Sequence, residues 1–254
     1  MTGRNRLAMR PFLAAAMTAC LIFATPLHAQ DTMPESAADD PYLAFAQTVS
    51  MEEMHELAFE TTMKQLSAAY MTNAGIAENE AKCPGYVTAM IDSSRDIMRK
   101  EERDRGRKAI EVATRIAREK FDEVEIREMT AFFTSPIGRK MLLSTAANFE
   151  ASNSLANVLE NGDGTIDETA LETDREALVG KTLNALTGDD IAELTMALVG
   201  KTWLPKMEDF NAEMAEQRFR IINEPIDPTN AAAIAQRTRA ALTAHLENCE
   251  ADGS

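Results

Sequence analysis

Residues 121–142 constrain the fold most strongly, because they predict two helices joined by a tight Ser-Pro corner. Asp122 is suited to an N-cap, and Glu125, three residues later, would complete a capping box. An apolar stripe of helical period follows. The residue before a proline is pushed out of the α region, so this first helix is predicted to end at Ser135. Pro136 suits the first position of the next helix, where no N–H is needed.

Gly138 lies two residues after that proline, inside the second predicted helix. A glycine within a helix costs about 1 kcal/mol relative to alanine. Close approach of another backbone would compensate for this cost, so Gly138 is predicted to lie at a helix crossing. A leucine there is expected to overpack the contact, whereas an alanine is expected to be nearly neutral.

The nonapeptide at 132–140, Phe-Phe-Thr-Ser-Pro-Ile-Gly-Arg-Lys, resembles the hallmark of the bacterial domain-of-unknown-function family twenty-fifty-nine. The aromatic pair, the corner and the glycine carry the resemblance: Phe132, Phe133, Ser135, Pro136 and Gly138. A looser resemblance covers residues 42–154. It implies a small, exported, helical protein with no assigned general activity. Phe133 stands where tyrosine is common in the family, so any role of that hydroxyl is absent here.

A degenerate copy of the central stretch follows about 65 residues later. Residues 186–195 parallel 121–130, and residues 200–204 parallel 138–142, although the Ser-Pro corner is missing. We interpret this as an internal duplication of a helical hairpin. The alternative is a chance similarity between two amphipathic helices.

The composition favours an all-α protein, since strand-like alternation is scarce and Ala, Glu, Met, Leu and Arg are abundant. We predict a multi-helix bundle in three parts: a helical domain over 41–160, the degenerate repeat hairpin over 165–224, and a C-terminal helix over 228–249 packed on the same bundle. Within the first part we expect a break at 73–85, a division into two helices at Gly106, and a helix from Pro136 to about Leu159.

Residues 1–29 have the features of a signal peptide: three arginines, a short apolar stretch and a cleavage site after Ala29. The polar residues 30–40 would follow as a flexible leader. The alternative is a lipoprotein cleaved before Cys20, but apolar residues continue beyond that cysteine. The sequence therefore predicts a periplasmic or secreted protein.

The formal net charge of −15, from 26 basic and 41 acidic residues, opposes binding to nucleic acid or to an anionic membrane. Basic and acidic residues interleave densely over 95–120, which is typical of a solvated helix face; an anion-binding stripe is the alternative. No second apolar run is long enough for a membrane span after signal removal.

The two cysteines of the mature chain, Cys83 and Cys249, are candidates for a disulfide, because an even count in an exported protein favours pairing. The bond would tie the loop before the third helix to the end of the last helix. Two buried, unpaired thiols are the alternative.

Candidates for catalysis or metal binding are weak. No Gly-x-Ser-x-Gly elbow is present, and neither histidine of the mature chain lies in a catalytic motif. Met51, Met54 and His55 have ligand types suited to Cu(I), and His245 and Cys249 share a helix face. Methionines at helical spacing are more often core residues. We therefore predict no catalytic residue, no metal and no cofactor.

These observations predict a non-enzymatic binding or structural module of the bacterial envelope that uses a groove between helices. Its partner would be an unknown envelope protein or a small ligand. A carboxylate-dependent enzyme acting on an envelope substrate is the first alternative, and a metal or stress-response carrier is the second. A buried pair of acids in a deep pocket would favour the enzyme, and an apolar groove would favour the binding module.

Overall fold

The structure is a computed structural model that describes residues 40–161 and 164–252. The predicted signal peptide, and the predicted leader apart from Asp40, lie outside the described residues. The described residues form helices and no strand, so the prediction of an all-α, multi-helix bundle is confirmed. None of these helices is long and apolar enough to cross a membrane.

The helices follow one another with short connections. In chain order they are α1 (Pro41–Val49), α2 (Glu52–Tyr70), α3 (Ala74–Lys82), α4 (Tyr86–Asp92), α5 (Arg95–Lys120), α6 (Glu123–Thr134), α7 (Pro136–Ala147), α8 (Ser152–Asn161), α9 (Glu168–Ala185), α10 (Gly188–Leu198), the short 3-10 helix η1 (Leu204–Lys206), α11 (Met207–Ile222) and α12 (Pro228–Asp252).

The main hydrophobic core is built by α1, the second half of α5, α6, α7 and the chain from α10 to α11. Phe45 of α1 lies at its centre, with ring centroids 6.1 Å from Phe133 and 6.2 Å from Phe210. A smaller apolar cluster around Phe59 and Ile91 joins α2 to α4. The central motif thus occupies the main core, as its apolar stripe predicts.

The corner between α6 and α7 has the predicted hydrogen bonds. The Glu125 N–H donates to the Asp122 carboxylate (2.9 Å), and the Asp122 N–H donates to the Glu125 carboxylate (3.1 Å). Ser135 ends α6 and begins α7, where its hydroxyl oxygen accepts from the Gly138 N–H at 3.2 Å. These bonds satisfy backbone donors that helix starts otherwise leave unpaired.

Gly138 is buried where the start of α7 meets the end of α6. A Cβ at this position would lie 2.1 Å from the carbonyl oxygen of Phe132 and 2.8 Å from the Cα of Phe133. The predicted close approach of another backbone is present. The expectation that alanine would be nearly neutral is wrong, because even one methyl group overlaps the backbone of α6.

Two boundary predictions in the first half are wrong. The predicted break at 73–85 contains α3, because the Asn73 side chain accepts from the N–H groups of Gly75 and Ile76 and starts a helix. Gly106 does not divide the chain; it is buried within the continuous helix α5. The cost of one helical glycine, about 1 kcal/mol, is smaller than what a continuous packed helix gains.

The helix from Pro136 ends at Ala147 rather than near Leu159. A distant residue, Gln65 of α2, stabilises this interruption. Its side-chain amide donates to the carbonyl of Phe149 (3.0 Å), and its oxygen accepts from the N–H of Ala151 (2.7 Å). The sequence around the break has no signal for these bonds, because their partner lies in another helix.

The predicted disulfide between Cys83 and Cys249 is present, with Cα atoms 5.8 Å apart. It attaches α12 to the connection between α3 and α4, and α12 packs against α4. Between its start and residue 251, α12 has no buried residue. Polar contacts add to the disulfide: Arg237 pairs with Asp96, and the α12 residue Thr238 has its hydroxyl 3.2 Å from that of Ser93. The last helix is therefore attached by the disulfide, by polar side-chain bonds and by half-buried residues such as Ile234 and Leu242.

Candidate ligand-binding cavity

The residues that the sequence motif identified have structural roles. The aromatic pair Phe132 and Phe133 belongs to the main core, and Gly138 is buried beside it. Ser135 is half-buried and Pro136 is exposed at the corner between α6 and α7. None of them lines the two cavities described next. The candidate site therefore lies away from the motif, beside the smaller apolar cluster, whose residues Phe59 and Met63 line one of the cavities.

The first of these, which we call the main cavity, has a volume of about 370 Å³. It lies between α2, α5, α8 and α11, and the start of α12 covers one side. Its walls are largely apolar, and the larger apolar side chains among them are Phe59, Met63, Met98, Phe149, Leu155, Val158, Ile166, Ile221, Ile222, Ile226 and Ile234. Pockets of about 300–1,000 Å³ with such walls are typical of small-molecule sites.

A second space of about 290 Å³, the side cavity, lies between α8, α9 and α11. The two cavities share four wall residues: Phe149, Ala151, Ser154 and Arg218. The main and side cavities are therefore neighbours, and the residues they share include the guanidinium group of Arg218 and the hydroxyl group of Ser154.

Glu102 of α5 and Arg218 of α11 are the two charged side chains of the main cavity that the fold leaves unbonded. Both are half-buried, and they interact electrostatically. Within the described part of the chain, neither forms a hydrogen bond or a close ion pair. By contrast, the guanidinium of Arg105 donates to the carbonyl of Glu224 at 2.9 Å, and Glu101 accepts from Asn230.

Burial dominates the electrostatics of this pair. It raises the pKa of Glu102, and the nearby Arg218 and Arg105 oppose that increase. It lowers the pKa of Arg218, and Glu102 opposes that decrease. A guanidinium group stays protonated in proteins. The cavity therefore holds a fixed positive charge and a carboxyl group whose ionised form is disfavoured by loss of water.

Ser154 adds an uncharged polar group to the wall shared by the two cavities. It is 5% exposed, and its hydroxyl has no hydrogen-bond partner in residues 40–161 and 164–252. Its backbone N–H is already satisfied, because it donates to the carboxylate of Asp174 at 2.9 Å. An acid at this first turn of α8 also suits the helix dipole. The hydroxyl is thus left available to a molecule in either cavity.

His55, which the sequence suggested as a copper ligand, has a structural role. Burial lowers its pKa to about 3; its bond to the backbone of Ser50 opposes this, and Arg218 adds to it. Its Nε2 lies 2.9 Å from the carbonyl oxygen of Ser50, so Nε2 carries the proton and donates. Met54 is packed in the main core. The neutral ring thereby fixes the connection between α1 and α2.

The second metal candidate is also used otherwise, since Cys249 is bonded to Cys83 and cannot supply a thiolate beside His245. Across the described ranges, no group of three or more His, Cys, Asp or Glu side chains could hold a metal ion.

Glu102, Ser154 and Arg218 were not predicted from the sequence. Glu102 lies in the interleaved charges of α5, which predicted a solvated face. A signal for Arg218 was present: it lies four residues after Met214 and three and four before Ile221 and Ile222, on the apolar side of α11. A charged residue in such a stripe indicates a buried partner or a ligand.

The resemblance to the domain-of-unknown-function family stays a prediction. The chain matches no family model, and neither a curated protein nor a solved structure proved significantly similar to it.

Proposed function

We propose that the protein is an exported, non-enzymatic binding module of the bacterial envelope that holds a small amphipathic ligand in the main cavity. The observation that supports it is the unbonded pair Glu102 and Arg218 on the walls of an otherwise apolar space. Export rests on the predicted signal peptide over residues 1–29.

A ligand can reduce the cost of the desolvated charges in the main cavity. A charged group that loses water without gaining a partner destabilises the fold by several kcal/mol at most, depending on residual hydration. A ligand that bonds to Arg218 or Glu102 recovers part of this cost. Apolar atoms of the same ligand gain further by leaving water for the side chains of Phe59 and Ile221. The main cavity thus offers polar and apolar contacts to the same ligand.

The geometry favours binding over acid–base catalysis. Two acids, Glu101 and Glu102, line the main cavity, but Glu101 is occupied by the side-chain amide of Asn230. The hydroxyl of Ser154 bonds to no base among the described residues, so it lacks the activation that a nucleophile needs. A reaction would require a second free acid or a base that the cavity walls do not supply.

The proposal is tested with Nile red, a neutral apolar dye that brightens in apolar surroundings. We expect saturable binding to the folded protein. Ala151 lines both cavities, so Ala151→Trp should fill them and remove most of the signal. The matched control is Ala131→Trp on the exposed face of α6, which should bind like the parent.

Circular dichroism of both variants establishes that they are folded. A parent protein that does not bind the dye, or an Ala151→Trp variant that binds as well as the Ala131→Trp control, would contradict the proposal. The export part is tested by intact mass of the protein recovered from outside the cytoplasm. The chain should begin at Gln30; a lipid-modified species beginning at Cys20 would show the lipoprotein alternative to be right.

A further inference from the structure

We infer that the main cavity binds a small zwitterion with an apolar side chain, the chemistry of a free apolar α-amino acid. Its carboxylate would bond to Arg218 and its ammonium group to Glu102, while the side chain packs against the apolar wall. This inference rests on the proposed function, because it names the class of ligand for the same cavity.

The charges of the cavity select among three classes of amphipathic ligand. A molecule with only a carboxylate would pair with Arg218 but would bring a second acid close to Glu102. A molecule with only an amine would pair with Glu102 but would bring a second cation close to Arg218. In both cases a like charge is added in surroundings of low dielectric constant, where repulsion is strong. A zwitterion supplies one counter-charge to each wall.

The electrostatics of Glu102 support the same choice. Burial disfavours the ionised form of Glu102, and an added carboxylate would disfavour it further. An ammonium group instead stabilises the ionised form. Arg218 suits the other end, because a guanidinium group binds a carboxylate through two parallel N–H bonds. The two charged groups of the cavity that the fold leaves unbonded then each have a partner of opposite charge.

The remaining wall supplies one further polar bond and the apolar contacts. The hydroxyl of Ser154 is on the same wall as Arg218, it is buried, and it has no partner elsewhere in the described chain. It can donate to a carboxylate or accept from an ammonium group. The larger apolar residues of α2, α8 and α11 enclose the rest of the space. A cavity of about 370 Å³ is of the size that suits a small ligand.

The test compares three molecules that share one side chain. L-Leucine has both charged groups, isocaproate has only the carboxylate, and isopentylamine has only the ammonium group. Isothermal titration of the intact mature protein should give leucine an affinity about tenfold or more above that of either fragment, because each fragment leaves one wall charge unpaired.

Two variants assign the charges. In Arg218→Met, leucine should bind about thirtyfold or more weakly, and isopentylamine should become the better of the two fragments. In Glu102→Gln, leucine should also weaken, but isocaproate should become the better fragment. Opposite changes of preference would not follow from general loosening of the fold. The matched controls, Arg220→Met and Glu111→Gln, alter exposed residues of the same helices and should leave all three affinities unchanged.

The outcomes separate the inference from the proposed function. If leucine binds no more tightly than a fragment, or if none of the three molecules binds, the zwitterion is overturned. Nile red binding that Ala151→Trp removes would still support a binding module. If the dye also fails to bind, the inference and the proposed function fall together.

Discussion

Two regions of the molecule begin with the same helix-capping hydrogen bonds, but the helices within each region are joined in different ways. The first is α6 with α7, and the second is α10 with η1 and α11. Each begins with a capping box: Asp122 with Glu125 in the first, and Thr187 with Asp190 in the second. In each box the second residue, Glu125 or Asp190, also binds a lysine side chain, and that lysine belongs to the other region.

These lysine contacts are reciprocal. Lys140 of α7 binds the Asp190 carboxylate at 2.6 Å, and Lys206 of η1 binds the Glu125 carboxylate at 2.7 Å. A pseudo-two-fold relation between two copies would produce this exchange. It supports the interpretation of an internal duplication, which stays a prediction.

One equivalence inferred from the sequence is wrong. The alignment paired Gly200 with Gly138, but Gly200 has a φ of +78° and no atom within 4 Å of an added Cβ. Gly138 instead lies in a helix against the backbone of α6. The exchanged lysines pair Lys206 with Lys140, which places the second corner several residues later.

The two corners differ in what fills them. The first removes a side chain, because Gly138 lets the start of α7 touch the backbone of α6. The second inserts the largest side chain of the core, Trp203, whose ring centroid lies 6.0 Å from that of Phe132 and which is 0% exposed. Similar helix starts can thus be followed either by a close backbone contact, as at Gly138, or by a large buried ring, as at Trp203.

The largest expected effect breaks the second corner. Trp203→Ala should lower the free energy of unfolding by about 3–5 kcal/mol, because it leaves a cavity in the main core. Trp203→Phe should cost clearly less. It keeps a ring and removes an indole N–H that has no partner among the described residues. Urea unfolding measures both losses in free energy of unfolding. Equal losses would show that the volume of the Trp203 ring is not what stabilises the second corner.

The next effect concerns whether the paired regions depend on the covalent tether of α12. Replacing both Cys83 and Cys249 by serine should cost about 2–5 kcal/mol on the loop-entropy estimate. Amide hydrogen exchange should increase most in α12 and α4, since α12 buries no residue as far as residue 251. An equal increase throughout α6 and α7 would mean that the tether supports the whole core. The parent, denatured without reduction, should show no reactive thiol at these two positions.

A smaller effect separates the two glycines. Gly138→Ala should cost about 1–3 kcal/mol, because the methyl group overlaps backbone atoms. Gly200→Ala should cost about 1–2 kcal/mol for a different reason, its left-handed conformation. Asparagine tolerates that conformation, so Gly200→Asn should recover much of the loss, whereas Gly138→Asn should not. Thermal unfolding of the four variants measures these differences in stability. If Gly138→Asn were more stable than Gly138→Ala, the close backbone contact at Gly138 would be contradicted.

The smallest effects test the exchanged lysines. Lys140→Met and Lys206→Met should each reduce the melting temperature slightly and similarly, since the lysine side chains are 53% and 45% exposed. A loss in only one variant would break the equivalence of the two regions.

The first of these contacts also has a titration signature. The bond from Lys140, with those from Thr187, lowers the pKa of Asp190 to about 2. A lowered pKa means that this contribution to stability is complete above the unfolded-state pKa of aspartate and is lost as the pH falls towards 2. In Lys140→Met, the pKa of Asp190 measured by NMR should rise towards its usual value. An unchanged pKa would show that Thr187 alone is responsible.

Much of the local structure could be predicted because its partners are close in the chain. The capping box at Asp122, the cap at Ser135 and the end of α6 depend on residues within four positions. The disulfide followed from the cysteine count and the predicted compartment. The break after Ala147 could not be predicted in the same way, since it is stabilised by Gln65 from another helix.

The sequence by itself determined the all-helical class and the corner before α7, because helix periodicity and capping are short-range or compositional properties. It favoured the pairing of Cys83 with Cys249, but only the tertiary structure brings their Cα atoms to 5.8 Å. Only the tertiary structure decided that Glu102 and Arg218 share one cavity. Their positions depend on how α5 and α11 pack side by side, and that packing follows from the apolar core rather than from the charged residues themselves. The exchanged lysines have the same origin: the core sets the helix positions, and the charged side chains then bind what lies within reach.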